Sequence, residues 1–278
     1  MRAWNLTKMQ DAKPVALYFF DMNKTALFFV ALTLSGLTLF CLLALPSSVW
    51  ANWQPATCLP DGCFCEAENT ASPIRQMANT LSSLGYVFSG VWMMRRSTGR
   101  LPLLHSVTLG ISTIITGVGS AFYHASLTFI GQFLDILGMF MIAGFMLVYA
   151  FERIWTLRLK TTIGLYLLLN LSLSWLQIAI PDTRRYIFAI LLVLALIFEA
   201  YYRRQNAPNI TVNKLHLGVS LLTLAYIIWI LDNTRILCAE TSLLQGHALW
   251  HLMGAISVWF LYEYYASETV NREERKER

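Results

Sequence analysis

Charged side chains are scarce in this chain. Asp, Glu, Lys and Arg together make up 13% of its 278 residues, where soluble globular domains average about 25%. That deficit excludes an ordinary soluble enzyme and a nucleic-acid binder, both of which need a charged, solvated surface. Gly/Ser-rich linkers and internal repeats are missing as well, so neither a string of tethered domains nor a repeat array fits. What fills the space is apolar: 56% hydrophobic residues and a mean hydropathy of +0.52. The net charge of +5 and pI near 9.0 therefore call for a membrane reading first.

Long apolar runs occur at Thr25–Leu45, Met77–Met94, Leu103–Tyr123, Thr128–Ala150, Thr161–Ile180, Arg185–Tyr202, Lys214–Arg235 and Gly246–Tyr265. Each approaches the roughly 20 residues that cross a bilayer as a helix, the structure that satisfies its own backbone in lipid. The expected fold is all-α, a multi-pass helical bundle. The first run has some marks of a secretory signal, with Lys24 ahead of it and Ser48-Val49-Trp50-Ala51 after it. Its leader is too long for that, and a retained helix is expected.

Basic residues favour cytoplasmic loops. With the N-terminus inside, 17 of the 21 Lys and Arg residues fall on the cytoplasmic side, and only Arg75, Arg184, Arg185 and Arg235 fall outside. Both termini are thus expected inside, with segment 1–24 and the charged tail 267–278 cytoplasmic. Cys58, Cys63, Cys65 and Cys238 then lie on the outer side, where disulfides form; four cysteines allow three pairings, and spacing does not choose among them. Trp50, Trp53, Tyr149, Trp155, Tyr201, Tyr202, Tyr262, Tyr264 and Tyr265 sit near span ends and read as an interfacial aromatic belt.

Ionisable groups within membrane spans are costly and mark functional candidates. Helix direction gives their depth. His124 ends the third run, His247 opens the eighth and His251 lies one turn deeper, all on the outer side; His105 and His216 lie at the opposite ends of their spans, about 30 Å away. Asp135 is roughly 10 Å below the outer end of the fourth run, and Ser120 is one turn before His124 on the same face. Three imidazoles with an open position suit zinc, and a carboxylate near the metal's water suits a general base. Asp232, close in depth, reads either as an acceptor orienting a ligand histidine or as a loop anchor. Glu199 and Glu263, near inner ends, are expected to snorkel to water. A haem protein using His247 and His251 is disfavoured, because it gives Ser120, His124 and Asp135 no role.

Gly119-Ser120-Ala121-Phe122-Tyr123-His124 with Leu134-Asp135, and His247-Ala248-Leu249-Trp250-His251, resemble the signature of alkaline ceramidases. Cys65-Glu66 with Asn79-Thr80-Leu81-Ser82, and Asp232-Asn233 with Cys238, resemble two further stretches of that family. Related proteins include adiponectin-type receptors and a lipid-remodelling branch. The resemblance implies a seven-helix domain, here over residues 76–266, preceded by an additional helix at 25–45 and an outer cysteine-bearing loop at 46–75. It implies cleavage of the ceramide amide, with His124, His247 and His251 as zinc ligands, Ser120 polarising the carbonyl and Asp135 handling the proton. It also implies a Cys65–Cys238 disulfide, with Cys58–Cys63 left open.

Calcium-regulated members carry an acidic, Asn-containing segment that Glu66, Glu68 and Asn69 match only in part. Phe64 stands where a tryptophan is expected and Gln76 replaces a ligand glutamate, so the reading leans against calcium. The partner implied is a ceramide-like membrane lipid, with no nucleic acid and no obligate protein partner called for. A lipid ester hydrolase on the same site, or a receptor-like lipid binder with structural zinc, are the alternatives. The extra first helix tilts the expected location towards a bacterial inner membrane.

Overall fold

The computed structural model describes residues 23–94, 101–206 and 209–268. Most of segment 1–24, Arg95, Arg96 and Arg100, and the tail beyond residue 268 lie outside these residues. Within them the α-helices run in the order α1 (Lys24–Leu43), α2 (Met77–Ser83), α3 (Gly85–Met93), α4 (Leu103–Ser126), α5 (Phe129–Trp155), α6 (Leu159–Ala179), α7 (Arg184–Asn206), α8 (Val212–Asn233) and α9 (Gly246–Ala266). The described residues contain no strand; Pro55 and Thr128 form an isolated antiparallel bridge. The chain is an all-α bundle.

Six of these helices, α1 and α4 to α8, are long and apolar enough to cross a membrane. The other two expected spans are helical, and each departs for a physical reason. Met77–Met94 breaks at Leu84, which ends α2 and opens α3. Thr80, Ser82 and Ser83 turn their hydroxyls back onto the carbonyls of Gln76 and Asn79, at 2.6, 3.0 and 2.7 Å. Such back-bonding competes with the helical ladder and bends it. Helix α9 is long enough, but His247, His251 and Glu263 lower its apolarity.

Helices α4 and α5 form the centre, buried along most of their length, whereas α1, α6, α7 and α8 keep broad apolar faces outside. Phe40, Leu171, Trp175 and Ile190 on those faces are exposed, as lipid-facing side chains are. The α4–α5 turn is tight. Leu127 takes a left-handed conformation with φ 50°, its N–H donating to Tyr123 O at 2.7 Å, and the Thr128 side chain caps α5 through Gly131 N. Gly119 then lets α4 approach α5, since a Cβ there would meet Leu134 O at 2.8 Å. Ser120 and Asp135 become neighbours through that contact.

Two expectations fail at the end of the bundle away from His124. Glu199 does not snorkel: it is 1% exposed and forms an ion pair with Arg153, which also pairs with Glu268 at 3.3 Å. Tyr149, Tyr202 and Tyr265 are buried rather than interfacial, and the Arg153 guanidinium lies 4.4, 4.3 and 5.0 Å from their ring centroids. Tyr262 and Tyr264 are buried too. A desolvated guanidinium gains more from carboxylates and ring faces than those groups gain by reaching water separately. Glu263, by contrast, pairs with Lys214 at 3.1 Å.

Candidate metal centre

Four helices meet at the opposite end. Helix α4 brings Ser120 and His124, α5 brings Asp135, α9 brings His247 and His251, and α2 brings Ser82 and Ser83. The three histidines are buried, and one ligand nitrogen from each lies within 4.8 Å of the others. His124 Nε2 and His247 Nε2 are 3.1 Å apart. His105 is elsewhere, hydrogen-bonded to Glu152 at 2.7 Å, and His216 is exposed. The three histidines that sequence depth grouped thus lie together, and the other two lie elsewhere.

The hydrogen bonds set the tautomers. Gln76 Nε2 donates to Glu66 O at 2.9 Å, which makes Gln76 Oε1 the acceptor for His124 Nδ1–H at 2.8 Å. Ser82 Oγ donates to Asn79 O, so it accepts from His251 Nδ1–H at 2.9 Å. In both rings the lone pair is therefore left on Nε2, facing the common centre. Two buried lone pairs and a third imidazole within reach fit a divalent cation, and a His₃ set with His124 and His251 held through their outer N–H groups is a donor set suited to zinc. Gln76, Ser82 and Ser83 were not read as site residues. The signal was there, in a polar run at the head of an otherwise apolar segment.

Ser120 Oγ lies 3.3 Å from His251 Nε2 and 3.1 Å from Ser83 Oγ, and the close packing of Gly119 on the Leu134–Asp135 turn sets Asp135 beside it. Ser83, Ser120 and His251 form one connected set. Asp232 has a different place from either simple alternative. Its Oδ1 accepts from His247 N at 3.1 Å and its Oδ2 from Cys65 N at 3.2 Å. It orients His247 through the backbone, and it anchors a loop at the same time.

That loop is tied down covalently. Disulfides join Cys58 to Cys63 and Cys65 to Cys238, so the pairing left open by spacing is the one that includes Cys58–Cys63. The loop lays the Phe64 ring over His247, centroids 3.9 Å apart, and near His124 at 4.9 Å. The three calcium candidates bind protein groups. Glu66 accepts from Ala78 N and Asn79 N at 2.7 and 2.9 Å, capping α2; Glu68 pairs with Arg75 at 2.6 Å; Asn69 accepts from Ala71 N at 3.1 Å. Burial raises the Glu66 carboxyl above its usual range, partly offset by those backbone donors.

A cavity of about 390 Å³ reaches this centre, lined by Phe64, Tyr123, Asp135, His247 and Trp250. Met139, Phe188 and Trp250 also line a narrower chamber of about 60 Å³ that runs on between Leu196, Leu215 and Leu261. Polar groups thus line the first cavity, and the chamber that shares these three residues with it is apolar.

Comparison with known proteins agrees with this arrangement. An alkaline ceramidase of Drosophila melanogaster is 26% identical over 252 residues, covering 84% of this chain and 86% of the fly protein. The Dictyostelium discoideum proteins dcd3B and dcd3A both carry alkaline ceramidase in their names. They are 27% identical over 67% of this chain and 71% of dcd3B, and 38% identical over 30% of this chain and 35% of dcd3A. These relatives are eukaryotic and lend no support to the bacterial expectation. The sequence profile of the Ceramidase family matches residues 61–278, taking in every residue of the histidine centre, and the chain belongs to that family.

Proposed function

We propose that the protein is a membrane-embedded, zinc-dependent amidase that cleaves ceramide-type lipids to a sphingoid base and a fatty acid. One observation carries the reading: three converging imidazoles, with Ser120 against His251 and Asp135 lining the same cavity, beside a chamber that is apolar. Membership of the Ceramidase family and relatives named alkaline ceramidases support the choice of an amide-linked lipid.

His124, His247 and His251 would hold the zinc. Bound there, zinc supplies Lewis acidity towards the amide carbonyl and brings the pKa of a water to about 7. Asp135 takes the proton of the attacking water at its carboxylate and passes it to the amine nitrogen as the C–N bond breaks. Water's oxygen ends in the new carboxyl group. Ser120 Oγ is placed to hold Asp135 and to donate to the carbonyl oxygen as charge gathers on it. The chamber beyond Met139 takes a hydrocarbon chain, and Phe64 shields the imidazoles from bulk water. We place the histidine end away from the cytoplasm and both termini inside, on the bias of basic residues and on the two disulfides at that end.

The test is mass spectrometry of products from purified protein given a panel of ceramides and phospholipids. Free fatty acid with sphingoid base from ceramide is expected. Fatty acid from phospholipid alone would mean an ester hydrolase, and no fatty acid from any substrate would mean a lipid-binding protein.

A further inference from the structure

Arg184 opens α7 and has not entered the chemistry above. It is 4% exposed, yet it lines the same cavity as Asp135 and His247. Its guanidinium is held rigidly on two sides. Nε and Nη2 donate to Gln177 O at 3.2 and 3.1 Å, near the C-terminal end of α6, and the group lies 5.0 Å from the Phe129 ring centroid. Nη1 is buried and has no hydrogen-bond partner. Nor do the described residues give Arg184 an ion pair, and the acid on its own segment, Asp182, is exposed.

A buried cation with an unused donor is costly unless something negative meets it. A guanidinium fixed on a carbonyl and a ring presents that donor with little entropy left to lose. Amide hydrolysis creates an anion in this cavity, the carboxylate of the released acid.

We propose that Arg184, through Nη1, anchors the carboxylate of a long-chain fatty acid in the cavity. The proposal rests on the reading that the cavity receives an acyl chain, and its test reads binding without turnover. Purified holoprotein in detergent is titrated with tritiated palmitic acid and, separately, with tritiated hexadecanol, which has the same chain and no charge. A charge-assisted hydrogen bond predicts an acid-over-alcohol preference of about tenfold or more in the wild type. Arg184→Gln should bring the ratio to within about twofold of one, while Arg184→Lys keeps most of it.

A wild-type ratio near one overturns the proposal before any variant is made. So does a preference that survives Arg184→Gln unchanged, which would locate the carboxylate at the histidines instead. If ceramide is never cleaved but the preference falls in Arg184→Gln, the amidase reading fails and the anchor stands. Cleavage with an unaltered ratio in Arg184→Gln does the reverse.

Discussion

At one end of the bundle Arg153 meets Glu199, Glu268 and three tyrosine rings; at the other, ring nitrogens of His124, His247 and His251 converge. Both clusters are buried, both join several helices, and both break the apolar pattern of the spans. They differ in compensation. Around Arg153 the guanidinium has carboxylates against it and rings over it, so the chain completes its own electrostatics. Around the histidines, Gln76 and Ser82 occupy the outer nitrogens and leave the inner ones facing a shared point. Buried polarity that is complete holds a fold together, and buried polarity that converges without closing is where a ligand belongs.

Four substitutions test that contrast. The largest effect is expected from His251→Ala, which should lose both bound zinc, measured by plasma emission, and ceramide cleavage; a full metal complement would remove this residue from the ligand set. Asp135→Asn should keep its zinc and lose roughly 10²- to 10⁴-fold in turnover, since the proton carrier is gone and the ligands are not. At the other end, Arg153→Ala should cost about 3–5 kcal/mol of stability by stranding two carboxylates. Thermal unfolding in detergent reads this loss, and zinc per folded molecule should not change. Smallest, Ser82→Ala should weaken zinc binding by about 10- to 100-fold through loss of the acceptor that fixes the His251 ring. A competition titration with a zinc chelator measures it. Were Ser82→Ala to lower stability as much as Arg153→Ala does, the two ends would be alike after all.

Much of the fold was legible because span length and apolarity are properties of composition along a line. Depth is also linear, at a fixed rise per residue, and it grouped His124, His247, His251, Ser120 and Asp135 before any coordinates. Rotation about a helix axis is not linear in this way. Tyr149, Tyr202 and Tyr265 are near span ends, as belt residues would be, yet they face inward onto Arg153. Glu199 likewise found a partner on another helix, which its own neighbours in sequence do not reveal. The break at Leu84 depends on hydroxyls choosing local carbonyls, and the roles of Gln76 and Ser82 depend on which nitrogen of a distant ring they reach. Asp232 could be read as oriented towards a histidine or as a loop anchor; only the fold shows that one carboxylate does both.

Cys65 and Cys238 are separated by 173 residues, and the ring they close contains α2 through α8. The histidines come from α4 and from α9, which is made last among the described helices. During synthesis, therefore, a chain halted before Gly246 has one of the three converging imidazoles, no closing helix and, if halted before Cys238, no bond to secure its first loop. On the proposed function, hydrolytic capacity would arrive in a single late step rather than growing with length, and an unfinished chain would leave the lipids around it intact.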